Sequence, residues 1–313
     1  MRKIALVKDK MRFWQIYERI LRRYSFQVCL LDIWRKSEQD RLFSENFDSF
    51  IWRAKHDPVI KNLAKRFIYF FGQEFKIPTY PDWRSYWHYD DKIAQYYLFT
   101  RHHIPTPKTY IFFNQDEAVA FAQQTRYPLV YKCAHGAGSS NVGLLEDPKT
   151  AMKYIRRVFN KGIKTYFKNE VQKGYVYFQE FLGDNQGDYR IVCYGNRVIY
   201  GFFRPNRDKS PFASGSGLFD TSEIPVEVLD LGARANEQMN FEVMSYDILR
   251  DYEGKWLVTE MSVIYGDLSS PIYKAANGYY RDKNSLWQKI GIGKDRHEEF
   301  IRHLLTSWNW IEG

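Results

Sequence analysis

Residues 244–263, MSYDILRDYEGKWLVTEMSV, place two apolar-rich runs on either side of Glu253-Gly254. A turn pair between two such runs predicts an antiparallel hairpin, which excludes an all-helical or all-parallel C-terminal half. With a two-residue turn, Tyr252 faces Lys255 and the ladder sets Asp247 opposite Glu260. Opposed carboxylates at about 5 Å repel one another. A cation between them reverses that sign, and oxygen ligands on adjacent strands suit Mg2+. Ser262 points to the same face as Glu260, two residues along. An exposed sheet edge with solvated carboxylates is the plain alternative.

A further hairpin is expected at 189–204, YRIVCY and RVIYGFFR around Gly195-Asn196. Upstream, YPLVYKCAHGAGSSNVG (127–143) sets Lys132 on a short apolar strand and then releases into small residues. A lysine on a strand holds its ammonium at a set place. Gly136, Gly138, Ser139 and Ser140 let backbone amides approach the same anion closely, which is the chemistry of a phosphate site. A strand ending in a surface turn would use the same letters.

Ahead of this, IALV (4–7), VCLLDIW (28–34) and FDSFIWR (47–53) read as strands alternating with helices at 11–24 and 58–74, the second stopped by Gly72. That alternation predicts a small α/β layer. IPTYPDWRSYWHYDD (77–91) reads as the link to a second unit. The expected division is 1–88 and 89–313. The second part would carry the lysine and glycine loop in 89–173, and the hinge and metal carboxylates in 174–313.

The net charge of +9, with aromatics among the bases of 13–23, raises nucleic-acid binding as a function. Phe13, Ile16, Tyr17 and Ile20 fall on one helical stripe, so packing plus a solvated basic face accounts for them. No nucleic-acid partner is expected. No run of 18 apolar residues predicts a membrane helix, and the charged start does not read as a secretory leader. Cys29, Cys133 and Cys193 are scattered, which suits a reducing cytoplasm. GIGKD (291–295) lacks the glycine and hydroxyl of a P-loop, and the histidines of HEEFIRH are six apart, wrong for a zinc pair on one helix face.

Taken in order, residues 88–313 resemble the ATP-grasp enzymes. Asp91-Lys92 before IPTP resembles that fold's entry, whose lysine reaches the nucleotide. LVYKCAHGAGSSNVG resembles its strand, lysine and glycine loop. Gln179, Glu180, Phe181 and Leu182 (QEFL) resemble the hinge that holds adenine by backbone groups, and GDYRIV supplies Asp188 and Arg190. Asp247 and Glu260 stand where the family has its metal carboxylates. AGSSNV, YVYFQEF, FASGSG and TEMS narrow the likeness to ATP-grasp proteins found among polysaccharide-biosynthesis genes. Two places depart from that pattern. Glu260-Met261-Ser262 replaces the commoner E-x-N, and Ser210-Pro211-Phe212 stands where D-F-R is expected, leaving Arg204 and Arg207 as candidate phosphate arginines.

The resemblance implies an α/β fold, α+β in its C-terminal part, with ATP between two antiparallel layers. Lys92, Lys132, the glycine loop, the hinge and Asp188 would hold ATP, and Asp247, Glu260 and Ser262 would hold Mg2+. Arg190, Arg204 and Arg207 would balance developing charge while a carboxylate takes the γ-phosphate and an amine then displaces it. The carboxylate could be glycan-linked or a uronic acid. A phosphotransferase acting on an alcohol and a nucleotide-binding module without turnover both stay open. Taken singly, surface charges are the plain alternative for Lys92 and Arg190, and a strand end is the plain alternative for Gln179-Glu180. A homodimer is compatible with the sequence, which does not fix the oligomeric state.

Overall fold

The computed structural model describes residues 1–10, 12–136, 141–215, 217–266, 276–290 and 295–312. Strand β1 (Lys3–Val7) buries its last four side chains. A short strand covered on both faces belongs in a parallel sheet flanked by helices. β1 pairs in parallel with β2 (Gln27–Leu31) and β3 (Ser49–Ile51), and β3 with β4 (Thr79–Tyr80), giving the order β2-β1-β3-β4. Helix α1 (Phe13–Arg23) turns Phe13, Tyr17, Ile20 and Leu21 inward. Outside, Arg22 pairs with Glu18 and Arg23 with Glu298. After α2 (Lys36–Ser44), Asp57 starts α3 (Pro58–Tyr69) by accepting from the Val59 and Ile60 amides, while Pro58 needs no partner there.

Two expectations change here. Gly72 does not stop the helix that begins at Pro58, because Phe70–Glu74 continue it as one wider π turn with Gly72 inside. Nor is 77–91 only a link. Its Thr79–Tyr80 pair completes the first sheet, and Trp83–Tyr86 form a helical turn, α4. Tyr80, Tyr86 and Tyr89 are buried core residues, so the aromatics that suggested a linker are packed.

The second sheet is antiparallel. It contains β5 (Thr109–Phe112), β6 (Leu129–Lys132), β7 (Val142–Leu145) and β10 (Val176–Glu180) in the order β5-β10-β6-β7. A small two-stranded sheet, β8 (Ile163–Lys164) with β9 (Val171–Gln172), lies between in sequence. Helix α5 (Lys92–Arg101) precedes the second sheet, and α6 (Gln115–Gln124) and α7 (Pro148–Asn160) cover it around Ala122, Ile155 and Phe178. Asn114 caps α6 as its position predicts, accepting from the amides of Asp116 and Glu117.

The third sheet has six strands. These are β11 (Gly187–Tyr194), β12 (Val198–Pro205), β13 (Val243–Arg250), β14 (Trp256–Ser262), β15 (Asn277–Arg281) and β16 (Trp287–Lys289), in the order β14-β13-β11-β12-β15-β16. Helices α8 (Val226–Gln238) and α9 (Arg296–Ser307) pack on it. One large core joins this sheet to the first, and the second sheet has a smaller core of its own.

Both hairpins form, each with a turn different from the expected one. Tyr194 pairs with Val198, so three residues rather than Gly195-Asn196 alone connect β11 to β12. Between β13 and β14, the Asp251 carboxylate accepts from the amides of Glu253 and Lys255, and Asp251 N–H donates to the Lys255 carbonyl at 2.9 Å. That closure pairs Arg250 with Trp256, one residue off the expected register. A bulge then inserts Thr259 opposite the Asp247/Ile248 step, and Asp247 is returned to face Glu260. The Thr259 hydroxyl donates to the Asp247 carbonyl at 3.1 Å, which ties the bulge in place.

The three cysteines are buried and unpaired. Among the described residues, no helix is long and apolar enough to cross a membrane.

Candidate active site

Two adjoining cavities, of about 340 and 100 Å³, open between the second and third sheets. Lys92, Val142, Ser214, Asp247 and Glu260 line both and so form the wall between them. The smaller cavity runs from Val130 and Lys132 past the 179–182 hinge to Asp188. The larger extends to the first sheet, where Arg53, Lys55 and His56 follow β3.

Lys92 is the first residue of α5, whose cap is Asp91. Its Nζ lies 3.2 Å from the Gly136 carbonyl and 3.4 Å from Glu260 Oε1. Burial opposes its charge, but Glu260 and Asp90 outweigh that and hold its pKa above the ordinary lysine value. Gln95, one turn along α5, donates to the Met261 carbonyl at 2.9 Å and accepts from the Met261 N–H at 3.2 Å. This reciprocal pair docks α5 on β14 and thereby fixes Lys92 against Glu260. Gly136 has φ +134°, and a Cβ there would come within 2.5 Å of Asn141 Nδ2, so only glycine fits.

Lys132 closes β6 and is 8% exposed. Its ammonium stands 6.0 Å from the Tyr177 ring centre and makes no hydrogen bond or ion pair among the described residues. Burial, together with the Lys92 charge, pushes its pKa down to about 8, although Glu260 and Asp247 pull the other way. A buried cation without an anion is unfavourable unless a ligand supplies one.

The carboxylates are placed by the strand ladder. Arg190 on β11 is directly opposite Asp247 on β13, and Asp188 is opposite Arg204 on β12. Arg190 grips Asp247 with two N–H donors at 2.8 and 2.7 Å. Arg204 grips Asp188 likewise at 2.7 and 2.6 Å and reaches Asp247 at 2.7 Å. The sequence predicts that Asp247 and Glu260 repel until a metal arrives. Instead each already has a cation: Arg190 and Arg204 for Asp247, and Lys92 for Glu260. Glu260→Gln is therefore expected to lower stability by roughly 1 kcal/mol, between exposed and buried ion-pair values, rather than raise it, while removing turnover. Ser262→Ala should cost less in turnover than Glu260→Gln. Thermal unfolding beside turnover assays of both variants checks this.

At the hinge, the Gln179 amide donates to Thr109 Oγ1 at 2.9 Å, and Glu180 Oε1 accepts the Lys108 N–H at 2.8 Å. The Phe181 carbonyl accepts from the Tyr252 hydroxyl at 2.6 Å, and the Leu182 carbonyl accepts from the Asn185 amide at 3.2 Å. The buried Leu182 N–H has no hydrogen-bond partner among the described residues. A backbone donor left over in a cavity wall is a ready contact for a planar acceptor.

The RimK-like ATP-grasp domain profile matches residues 89–266, more than half of the chain. The chain belongs to the RimK-like ATP-grasp family. It is 26% identical over 175 residues to the alpha-aminoadipate–LysW ligase LysX of Saccharolobus solfataricus, a match spanning 55% of this chain and 61% of that protein. Among solved structures, D-cycloserine synthetase DcsG superposes with a TM-score of 0.63 at 14% identity, covering 98% of this chain and 99% of DcsG. The D-alanine–D-alanine ligase of Bacillus anthracis gives 0.59 at 13% identity, covering 88% and 91%. These likenesses establish the ATP-grasp fold.

In this RimK-like ATP-grasp chain, Lys92, Lys132, Gly136, Arg190, Asp188, Asp247, Glu260, Ser262 and the 179–182 hinge all line the two cavities. Gly138, Ser139 and Ser140 lie outside the described residues. Arg204 and Arg207 line neither cavity. Arg204 stands behind Asp188 and Asp247 as their counter-charge: the ladder sets it opposite Asp188 on β11, and its guanidinium reaches across β11 to Asp247 on β13. Arg207 donates to the Phe212 carbonyl and the Ser210 hydroxyl, so its guanidinium braces the 207–212 turn. The Ser262 hydroxyl donates to the Ile264 carbonyl at 2.6 Å, which commits its proton and leaves its lone pairs.

Sequence reasoning missed Gln95, Arg53 and Asp90. Gln95 had a signal, three residues after Lys92 on the same helix face. Arg53 had none. It is 3% exposed, donates to the Tyr265 and Gly266 carbonyls, and lies 3.8 Å over the Phe13 ring.

Proposed function

We propose that this chain is an ATP- and Mg2+-dependent ligase that joins a carboxylate to an amine through an acylphosphate, releasing ADP and phosphate. The observation that carries this reading is the buried Lys132 ammonium, which lacks an anion and faces the carboxylate wall between two cavities. The matched relative LysX is itself named as a ligase. In this reading the chain divides between residues 88 and 89, and the N-terminal layer supplies one wall of the larger cavity.

In this reading the base of ATP lies along the hinge, where the Leu182 N–H and the neighbouring carbonyls meet its edge. The phosphates lie at the shared wall, where Lys92 and Lys132 oppose their charge and Arg190 holds Asp247 in place. Asp247 and Glu260 fit Mg2+, since carboxylate oxygens are its preferred protein ligands and two such groups, with phosphate and water, satisfy it. Asp247 can share, because a carboxylate has about four lone-pair sites and its arginines use three contacts. Ser262 would contribute through a lone pair or a water. When bound, the ion neutralises phosphate charge and orients the γ-phosphate.

The acid would enter through the larger cavity, with Arg53, Lys55 and His56 on its far wall. Its oxygen attacks the γ-phosphorus, and the bond to ADP breaks. The amine nitrogen then attacks the acyl carbon and phosphate departs, carrying the proton that nitrogen loses. The protein's part is positioning and charge stabilisation rather than covalent participation. The likeness of AGSSNV, YVYFQEF, FASGSG and TEMS to ATP-grasp proteins of polysaccharide-biosynthesis genes, together with the basic lining, makes glycan-linked acids and uronic acids the first candidates to try.

Hydroxylamine captures acylphosphates as hydroxamates. The purified chain with MgATP, hydroxylamine and a panel of carboxylates should release ADP and form hydroxamate from the accepted acid class. ADP release with no hydroxamate from any acid, alongside phosphorylation of an alcohol, would establish the phosphotransferase instead.

A further inference from the structure

Lys61 sits on α3, in the cover of the first sheet, yet it is 3% exposed and lines neither cavity. Its Nζ lies 3.1 Å from Asp90 Oδ2 and 3.4 Å from the Asp90 carbonyl. Asp90 is itself 6% exposed, and its other oxygen accepts the Gly136 N–H at 2.9 Å. The Asp90 backbone is left-handed, φ 53°, an uncommon state for a non-glycine residue that its surroundings have to hold. From the other side, Lys92 Nζ binds the Gly136 carbonyl, and the Lys92 N–H binds the Ala134 carbonyl at 3.0 Å. Residues 90 and 92 thus grip Gly136 by both its polar groups.

Burying an ammonium is unfavourable unless a nearby anion compensates it. A leucine at position 61 would cover the same sheet without that penalty, so helix packing does not explain the lysine. The electrostatics do. Asp90 and Lys92 bind the two polar groups of the same residue, Gly136, which holds the two charges near each other. Were Asp90 unbalanced, its charge would act on Lys92, which grips the same Gly136, as well as on Lys65 and His56, and would draw Lys92 from Glu260 and from any bound phosphate.

We propose that Lys61 is a positioning residue of the nucleotide site: it takes up the Asp90 charge, leaves the Lys92 ammonium to Glu260 and to phosphate, and keeps Gly136 in the cavity wall. This rests on the ATP reading above. It makes the N-terminal layer a working part of nucleotide binding through one buried ion pair, although no residue of that layer need touch ATP.

The test compares MgATP with adenosine, which has no phosphate, by calorimetry and by competition. Lys61→Met should weaken MgATP about tenfold, the scale of one charge-assisted contact, and leave adenosine within about twofold. Lys61→Arg should restore most of the MgATP affinity. The double variant Lys61→Met/Asp90→Asn leaves no orphan anion to draw Lys92, while the introduced amide oxygen can still accept the Gly136 N–H. It should bind MgATP clearly better than Lys61→Met alone. If Lys61→Met fails to fold, the double variant against wild type decides, with affinity within about fivefold expected. Unchanged MgATP affinity in Lys61→Met, an equal loss for adenosine, or a double variant as weak as the single one would overturn the proposal. Wild-type protein that binds no MgATP is a separate result, which removes the nucleotide site itself.

Discussion

Asp247→Asn is expected to lower stability by about 3–5 kcal/mol, the range for orphaning buried charges, and to abolish turnover. Asp247 is 6% exposed and accepts from two guanidiniums. Burial alone would raise its pKa. Arg190 and Arg204 overcome burial and hold the carboxyl well below the usual range. Asparagine keeps the shape, loses the charge, and turns an amide N–H2 toward donors that need an acceptor. The two arginines would then share Asp188, whose carboxyl burial and Asp247 push up while Arg204 pulls it down. The pH dependence has a definite sign. A carboxylate depressed in the folded state contributes fully above its unfolded pKa, about 4. That contribution fades as pH falls from there toward the folded value. Urea unfolding should show the widest gap between wild type and Asp247→Asn near neutral pH, narrowing below about pH 4. Equal midpoints at pH 7 would mean that the arginines find other partners.

Lys132→Met should give the opposite signature: stability without ligand unchanged or raised, and MgATP affinity reduced about ten- to a hundredfold. The buried ammonium has no anion of its own, so methionine removes an unfavourable charge and keeps the packing against Tyr177. Because burial lowers the folded pKa to about 8, the unfolded chain binds more protons between that value and the ordinary one near 10.5. Stability should therefore rise with pH across that window in wild type, and this increment should be missing in Lys132→Met. Bound phosphate restores the full charge, so MgATP binding near pH 8, where about half of the Lys132 groups are already protonated, should take up about half a proton in wild type alone. Calorimetry in two buffers of different ionisation enthalpy measures that uptake directly. A folded Lys132→Met variant with wild-type affinity and proton uptake would place the phosphates elsewhere.

The pairing of the two carboxylates was legible in the sequence for a reason only half correct. The Glu253-Gly254 pair predicts Asp247 opposite Glu260, and the two do face each other. They do so because a turn closed by Asp251 moves the ladder one way and the Thr259 bulge moves it back. A bulge leaves no sure mark in a string of residues. The roles of Arg190 and Arg204 were hidden for a related reason, since strand pairing across β11, β12 and β13 decides which carboxylate each arginine meets. The hinge and Lys132 were plain because their chemistry is local, a strand with a lysine or a backbone stretch at its end. Lys61 was not, because it reads as one more base on an amphipathic helix until Asp90 is brought to it from 29 residues away. The strand at Thr79–Tyr80 was obscured by flanking prolines, which mark loops as often as sheet edges.

In the proposed reaction the acid's own oxygen takes the γ-phosphate on the wall formed by Lys92, Asp247 and Glu260. With an accepted carboxylate labelled with oxygen-18 in both oxygens, together with MgATP and an amine, the released phosphate should carry one label and the amide should keep the other. Released phosphate without label, or label wholly retained in the acid while ADP accumulates, would contradict the acylphosphate route.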